Sequence, residues 1–211
     1  MFGFDLMSMV AGLPGLIIAM SVHEYAHARV AVSMGDFTPK YTGRLTLNPL
    51  AHIDPVGLIM LLIMQFGWAK PVMINPSNFR DRTKGEILVA LAGPASNFIV
   101  AFVAMAFLVI WENMVGSTAG LRTVFWLIII YNINFGIFNL IPVPPLDGSR
   151  VLSAVLPYEM QYKLAGLERY SFLILIAIMM TPVLSYILIP IERLILSLYT
   201  SILSVLLGAF L

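Results

Sequence analysis

Residues 21–30 read SVHEYAHARV, which puts two histidines, a glutamate and an arginine near the end of an apolar stretch that begins at Leu6. His23 and His27 are four positions apart, so on an α-helix both rings leave one face and can meet a single ion. Glu24, next to the first histidine, can reach water on that ion without ligating it. In a His-Glu-x-x-His arrangement zinc brings the pKa of its water toward neutrality, and the carboxylate takes the proton during attack on a peptide carbonyl. The plainer alternative is a chance pattern, because five-residue motifs with two free positions recur. Its weight falls here, since these groups lie inside a predicted membrane span, where ionisable residues are rare and usually functional. Arg29 has a duller account: it lies nearer the basic side and can snorkel to the headgroups.

Two histidines do not complete a catalytic zinc site, which normally takes three protein ligands and leaves one position for water. With no cysteine in the chain, thiolate sites, disulfides and cysteine nucleophiles are excluded, and any metal must sit on histidine and carboxylate. Asp5 and Glu112 belong to the far face, Asp81 and Glu86 to a loop on the basic side, and Glu192 to a predicted turn. Asp147 differs. It follows an apolar stretch in NLIPVPPLDG, where three prolines forbid regular helix and predict an extended chain. Irregular backbone at membrane depth is tolerated only where it lines a cavity or is buried in protein. The competing account is a proline-rich exit loop with a solvated aspartate.

The elements that must hold these residues are membrane helices. Of 211 residues, 60% are hydrophobic and only 11% charged, far from the roughly half apolar and quarter charged mix of soluble domains. Neither the net charge of +1 nor any basic run points to nucleic acid. The first apolar stretch has no basic residue before Arg29 and is too long for an ordinary signal peptide. Spans of roughly 20 apolar residues are predicted at 6–34, 87–111, 121–141 and 170–190, with 191–211 a less certain fifth after a turn at IPIER. The run at 56–68 is too short to cross and reads as re-entrant or interfacial. Lys40, Arg44, Lys70, Arg80, Arg82, Lys84, Arg150, Lys163 and Arg169 fall on one side, against mainly Arg122 and Arg193 on the other. The positive-inside rule then puts the N-terminus away from the cytoplasm and the histidines toward it. Alternation in KYTGRLTLNP and KPVMINP predicts a small cytoplasmic-side β-hairpin or sheet. No repeat or linker divides the chain, so one membrane domain is expected over 1–211, with a catalytic core at about 6–150 and accessory helices at about 170–211.

HEYAH in a first span, AGPASNF at 92–98 and FNLIPVPPLDG at 138–148 together resemble the site-2 protease family of intramembrane metalloproteases. The resemblance covers roughly the three-helix core. It implies an α-helical polytopic membrane protein with one Zn2+ per chain on His23, His27 and Asp147, Glu24 as general base, and Asn139 beside the metal. NPLAHIDPVG and WAKPVMINPSNFR look like the compact prokaryotic branch, without an inserted PDZ-like domain or an appended nucleotide-sensing domain. Asn97 matches the family's Gly-Pro-x-x-Asn element, either as an interhelical hydrogen bond or in a direct catalytic role. Asn132 and Asn134 read as packing or water contacts. His52 reads either as a loop histidine or as a ring that covers the open metal position when substrate is absent.

The expected activity is zinc-dependent cleavage of membrane-spanning protein substrates near their cytoplasmic ends, with lipid as the surrounding partner. A membrane metal-ion transporter with a His/Asp site is the rival. It does not require Glu24 beside the first ligand, and it would need a second acidic or histidine cluster along a path to the other face. A purely structural membrane protein leaves the buried ionisable groups without a role.

Overall fold

The computed structural model describes residues 6–57, 60, 67–116 and 118–208, with only the backbone course at 6–9, 158, 163, 167 and 168. Its long helices are α1 (Leu6–Met34), α3 (Arg82–Met114), α4 (Ala119–Asn139) and α8 (Val183–Leu207). Short helices lie between them: α2 (Thr38–Tyr41), α5 (Asp147–Val155), α6 (Tyr158–Glu168) and α7 (Ser171–Met179), with 3-10 turns at Pro49–Ala51 and Pro76–Asn78. α3, α4 and α8 are long and apolar enough to cross a membrane. α1 has 29 residues, and the ionisable groups at 23–29 reduce its apolar character. Side-chain caps start two of the spans: Asp81 accepts from the Lys84 amide at 3.0 Å and Thr118 from the Leu121 amide at 3.3 Å.

α1, α3 and α4 pack pairwise into a three-helix core. In lipid this association owes little to the hydrophobic effect and depends on close packing and interhelical hydrogen bonds. Small residues permit the approach. A Cβ on Gly12 would stand 2.6 Å from the Tyr131 hydroxyl, and one on Gly15 3.0 Å from the Leu127 carbonyl oxygen. Ala101, Ala104, Ile128, Ile129, Ile133 and Ile137 fill the α3–α4 seam, and Tyr199 of α8 closes it from outside. The Tyr199 hydroxyl donates to the Phe98 carbonyl at 2.8 Å.

The structure corrects three expectations. Among the described residues there is no β-strand, only an isolated bridge between Ile53 and Ala69. The alternating stretch at 41–47 has no neighbouring strand to pair with. It begins in the last residue of α2 and turns at Gly43 (φ 69°). Alternation describes a surface, and a ladder needs a partner edge. The second correction concerns the C-terminal region, where the break falls at Thr181–Pro182 instead of Pro190, and α8 runs through Pro190 and Arg193 without interruption. Pro182 sits just before the first turn of α8, where a missing N–H costs nothing, and proline inside a membrane helix is tolerated when neighbours satisfy the freed backbone. α7, nine residues long, reaches about 13 Å and does not span. Third, residues 140–146 form successive tight turns, with Val143 N bonded to Ile141 O and Leu146 N to Val143 O, in place of an extended chain. The short run expected to be re-entrant at 56–68 falls largely on 58–59 and 61–66, outside the described residues.

Candidate metal centre

His23 and His27 lie two-thirds of the way along α1 and face into the three-helix core, 3% and 6% exposed. Their separation of 74 and 62 residues from the groups that orient them explains why only the tertiary structure reveals those groups. His27 Nδ1 lies 2.6 Å from the Val89 carbonyl oxygen, which can only accept, so that nitrogen carries the proton. His23 Nδ1 lies 2.7 Å from Asn97 Oδ1. The amide orientation of Asn97 follows from its nitrogen, which donates to the Ala19 carbonyl at 2.9 Å and to Asn132 Oδ1 at 3.0 Å. His23 Nδ1 is therefore a donor as well. In both neutral rings the Nε2 lone pair is left to face inward.

Those two Nε2 atoms are 2.9 Å apart, and Asp147 Oδ2 stands 3.0 Å from one and 3.2 Å from the other. With both Nδ1 atoms protonated, neither neutral ring has a proton to offer Oδ2, and this buried oxygen receives no hydrogen bond. With both rings neutral, three lone pairs converge, an arrangement that is costly unless a proton or a metal cation lies between. The donor set of two imidazoles and one carboxylate suits zinc. His23, His27 and Asp147 are the one such group among the described residues.

Two glycines make the convergence possible. At Gly93 the α3 backbone passes so close that a Cβ would stand 2.5 Å from His27 Nε2 and 2.6 Å from His23 Nε2. At Gly148 a Cβ would lie 2.2 Å from the Leu140 carbonyl oxygen, so the first turn of α5 rests directly on the end of α4. That contact carries Asp147, the first residue of α5, back over the histidines. Gly93 is the first residue of the Gly-Pro-x-x-Asn element, and what its backbone approaches is the pair of histidine rings. The role of Gly148 had no sequence signal beyond its place after Asp147.

A cavity of about 1230 Å³ opens on this cluster, lined by His23, Glu24, His27, Asn139 and Asp147 among others. Its apolar walls include Leu16, Met20, Phe135, Phe138 and Phe172. Glu24 Oε2 accepts the Val72 amide at 2.9 Å, a contact the sequence did not announce. Asn139 lines the cavity with one amide hydrogen committed to the Phe135 carbonyl at 3.0 Å, leaving the other for a ligand. His52 is fully buried and does not line the cavity, although Ile53 and Asp54 do. Its Nε2 donates to the Thr46 carbonyl at 2.8 Å. Asn97 and Asn132 are fully buried among the three core helices, so Asn97 makes the interhelical bond and reaches the site through His23. Asn134 reaches outward instead and donates to Glu192 Oε2 at 2.7 Å.

The profile of peptidase family M50 matches residues 113–182, which include the turn that carries Asp147. YwhC of Bacillus subtilis, named as a zinc metalloprotease, is 40% identical over 180 residues, 83% of this chain and 82% of its own. The chain belongs to peptidase family M50. Two further relatives named as zinc metalloproteases agree. Rip2 of Mycolicibacterium smegmatis is 31% identical over 184 residues, covering 82% of this chain and 68% of that one. MJ0611 of Methanocaldococcus jannaschii is 30% identical over 157 residues, covering 71% and 72%. No solved structure matches the chain significantly. As an M50 member with three helices apolar enough to span a bilayer, the protein is a metalloprotease of the membrane, in the site-2 protease family that its motifs resemble.

Proposed function

We propose that this chain is a zinc-dependent intramembrane endopeptidase, cutting membrane-spanning segments of other proteins near the cytoplasmic side. His23, His27 and Asp147 would hold the metal, with Glu24 as general base. The observation that carries the reading is the convergence of two Nε2 atoms, whose rings direct Nδ1 to Asn97 and Val89, and a carboxylate oxygen at the head of a large, apolar-walled cavity. The relatives' names as zinc metalloproteases favour zinc over other divalent ions.

When bound, zinc supplies a Lewis acid that makes water a nucleophile near neutral pH and polarises a peptide carbonyl. The protein's own groups do the rest. The Asn97 amide and the Val89 carbonyl hold both imidazoles in the tautomer that presents Nε2. The Val72 amide fixes Glu24 Oε2, leaving Oε1 to take a proton from the attacking water and return it to the leaving amine. The free amide hydrogen of Asn139 is suited to a developing oxyanion. Phe135 and Phe138 line the cavity beside these groups, and apolar walls strengthen electrostatic contacts made against them.

The orientation follows from lysine and arginine placement. Lys40, Lys70, Arg80, Arg82 and Lys84 lie in the connection from α1 to the start of α3, and Arg150 and Arg169 lie between α4 and α7. The positive-inside rule puts this side in the cytoplasm, the N-terminus opposite, and the cavity toward the cytoplasmic leaflet. Arg193 no longer counts for the far side, since it lies within α8.

Glu24→Gln separates chemistry from binding. Zinc should stay near one per chain while cleavage of a membrane-embedded substrate falls by about 10²- to 10⁴-fold. Zinc loss in that variant, or cleavage at the native rate, would overturn the assignment of Glu24 as base. Asp147→Ala should lose metal and activity together, and full activity without Asp147 would remove it as a ligand.

A further inference from the structure

The hydrogen bonds behind His23 continue past Asn97 into the third core helix. Asn97 Nδ2 has two hydrogens, one given to the Ala19 carbonyl of α1 and the other to Asn132 Oδ1 of α4. Asn132 is fixed in turn, because its own nitrogen donates to the Ile128 carbonyl at 2.8 Å. Reversing the Asn132 amide would set two oxygens against each other at one end and two N–H groups at the other. Both asparagines are fully buried, so water is not at hand to replace a lost partner.

We infer that Asn132 is a positioning residue for the metal centre, acting through Asn97 on the tautomer of His23. The reading rests on His23 being a metal ligand. A buried asparagine amide has two orientations of similar shape. With oxygen toward His23, Asn97 accepts from Nδ1–H and Nε2 is left as a lone pair. With nitrogen toward His23, the amide donates to Nδ1, the ring proton moves to Nε2, and the ligand nitrogen becomes a donor unable to bind a cation. Ala19 alone holds one amide hydrogen; Asn132 holds the second and makes the wrong orientation doubly costly. The chain from Ile128 through Asn132 and Asn97 to His23 therefore joins all three core helices to the protonation pattern of one ligand.

The test is zinc affinity of the full-length chain in detergent, by competition with a chromophoric chelator, with Co2+ absorption as a report on ligand geometry. Asn132→Leu should weaken zinc binding by about 10- to 100-fold, the usual effect of an outer partner of a ligating histidine, and should alter the Co2+ spectrum. Asn132→Thr should restore most of the affinity, because a threonine hydroxyl can donate to the Ile128 carbonyl and accept from Asn97. If the leucine variant does not purify, Asn132→Ala read against Asn132→Thr gives the same contrast. A lowered Tm with native zinc affinity and spectrum in Asn132→Leu would make Asn132 merely structural and overturn the inference. Equal loss in Asn132→Thr and Asn132→Leu would also overturn it. An unaltered chain that binds no zinc would overturn both this and the parent reading, whereas native zinc binding with an unaffected Asn132→Leu overturns this one alone.

Discussion

The two walls of the cavity are built in opposite ways. On one side α3 backs against the histidines with Gly93 in direct contact, and each Nδ1 has a fixed acceptor. On the other side the wall is the connection between α1 and α3, with little regular structure. Residues 71–75 form no helix or ladder, and the one bridge among the described residues joins Ile53 to Ala69. Yet this wall supplies the Val72 amide that holds Glu24. The candidate ligands thus sit on helices or against them, and the proposed base is steadied by a stretch outside any helix or strand. A metal site must hold its geometry within fractions of an ångström, while a wall that admits a bulky substrate must yield.

The sharpest way to break this contrast is on the rigid wall. Gly93→Ala puts a methyl group 2.5 Å from His27 Nε2, and neither ring can retreat without losing its Nδ1 acceptor. Zinc affinity should fall by at least ~10²-fold, with activity following. Metal content by atomic absorption checks it, and a variant with native zinc content would show the wall to be less rigid than described.

On the compliant wall the effect should be smaller and confined to chemistry. Val72→Pro removes the amide that holds Glu24, a hydrogen bond to a charged group worth about 1.5–3 kcal/mol. Cleavage should slow by about tenfold or more with zinc retained at one per chain. An unchanged rate would mean that Glu24 works without that support.

The smallest effect belongs to the anchor of that wall. Asp36, at the end of α1, is fully buried and accepts from the Thr38 hydroxyl at 2.6 Å, the Thr38 amide at 3.1 Å, the Asn75 amide at 2.7 Å and Asn78 Nδ2 at 2.8 Å. Burial pushes its carboxyl up, but these bonds outweigh it and hold the group below the usual carboxylate range. Its stabilisation is therefore fully present above the unfolded-state pKa of about 3.9 and is lost as pH falls through the lower folded value. Asp36→Asn should unfold at lower temperature than the native chain at neutral pH, with the gap narrowing below about pH 4. Thermal unfolding across that range checks it, and a gap independent of pH would remove the carboxylate as the cause.

The local parts of this protein were legible from its residue order. His23 and His27 share a face because helix geometry repeats every 3.6 residues, and Leu6 to Met34 was legible as one element because its apolar run has no interior break beyond Pro14. The end of α4 was legible from the prolines that follow it, whereas the helix that begins at Asp147 was not. The remaining features depend on residues far apart in the chain. The tautomer of each histidine is set by Asn97 and Val89, and the place of Glu24 by Val72, none of which is a neighbour in sequence. Pro182 falls at the break, where a missing N–H costs nothing, while Pro190 lies inside α8, which packs against the α3–α4 seam through Ile195 and Tyr199 beyond it. The missing strands have the same physical origin: alternation prepares an edge, and only another strand, absent from the described residues, could have turned that edge into a sheet.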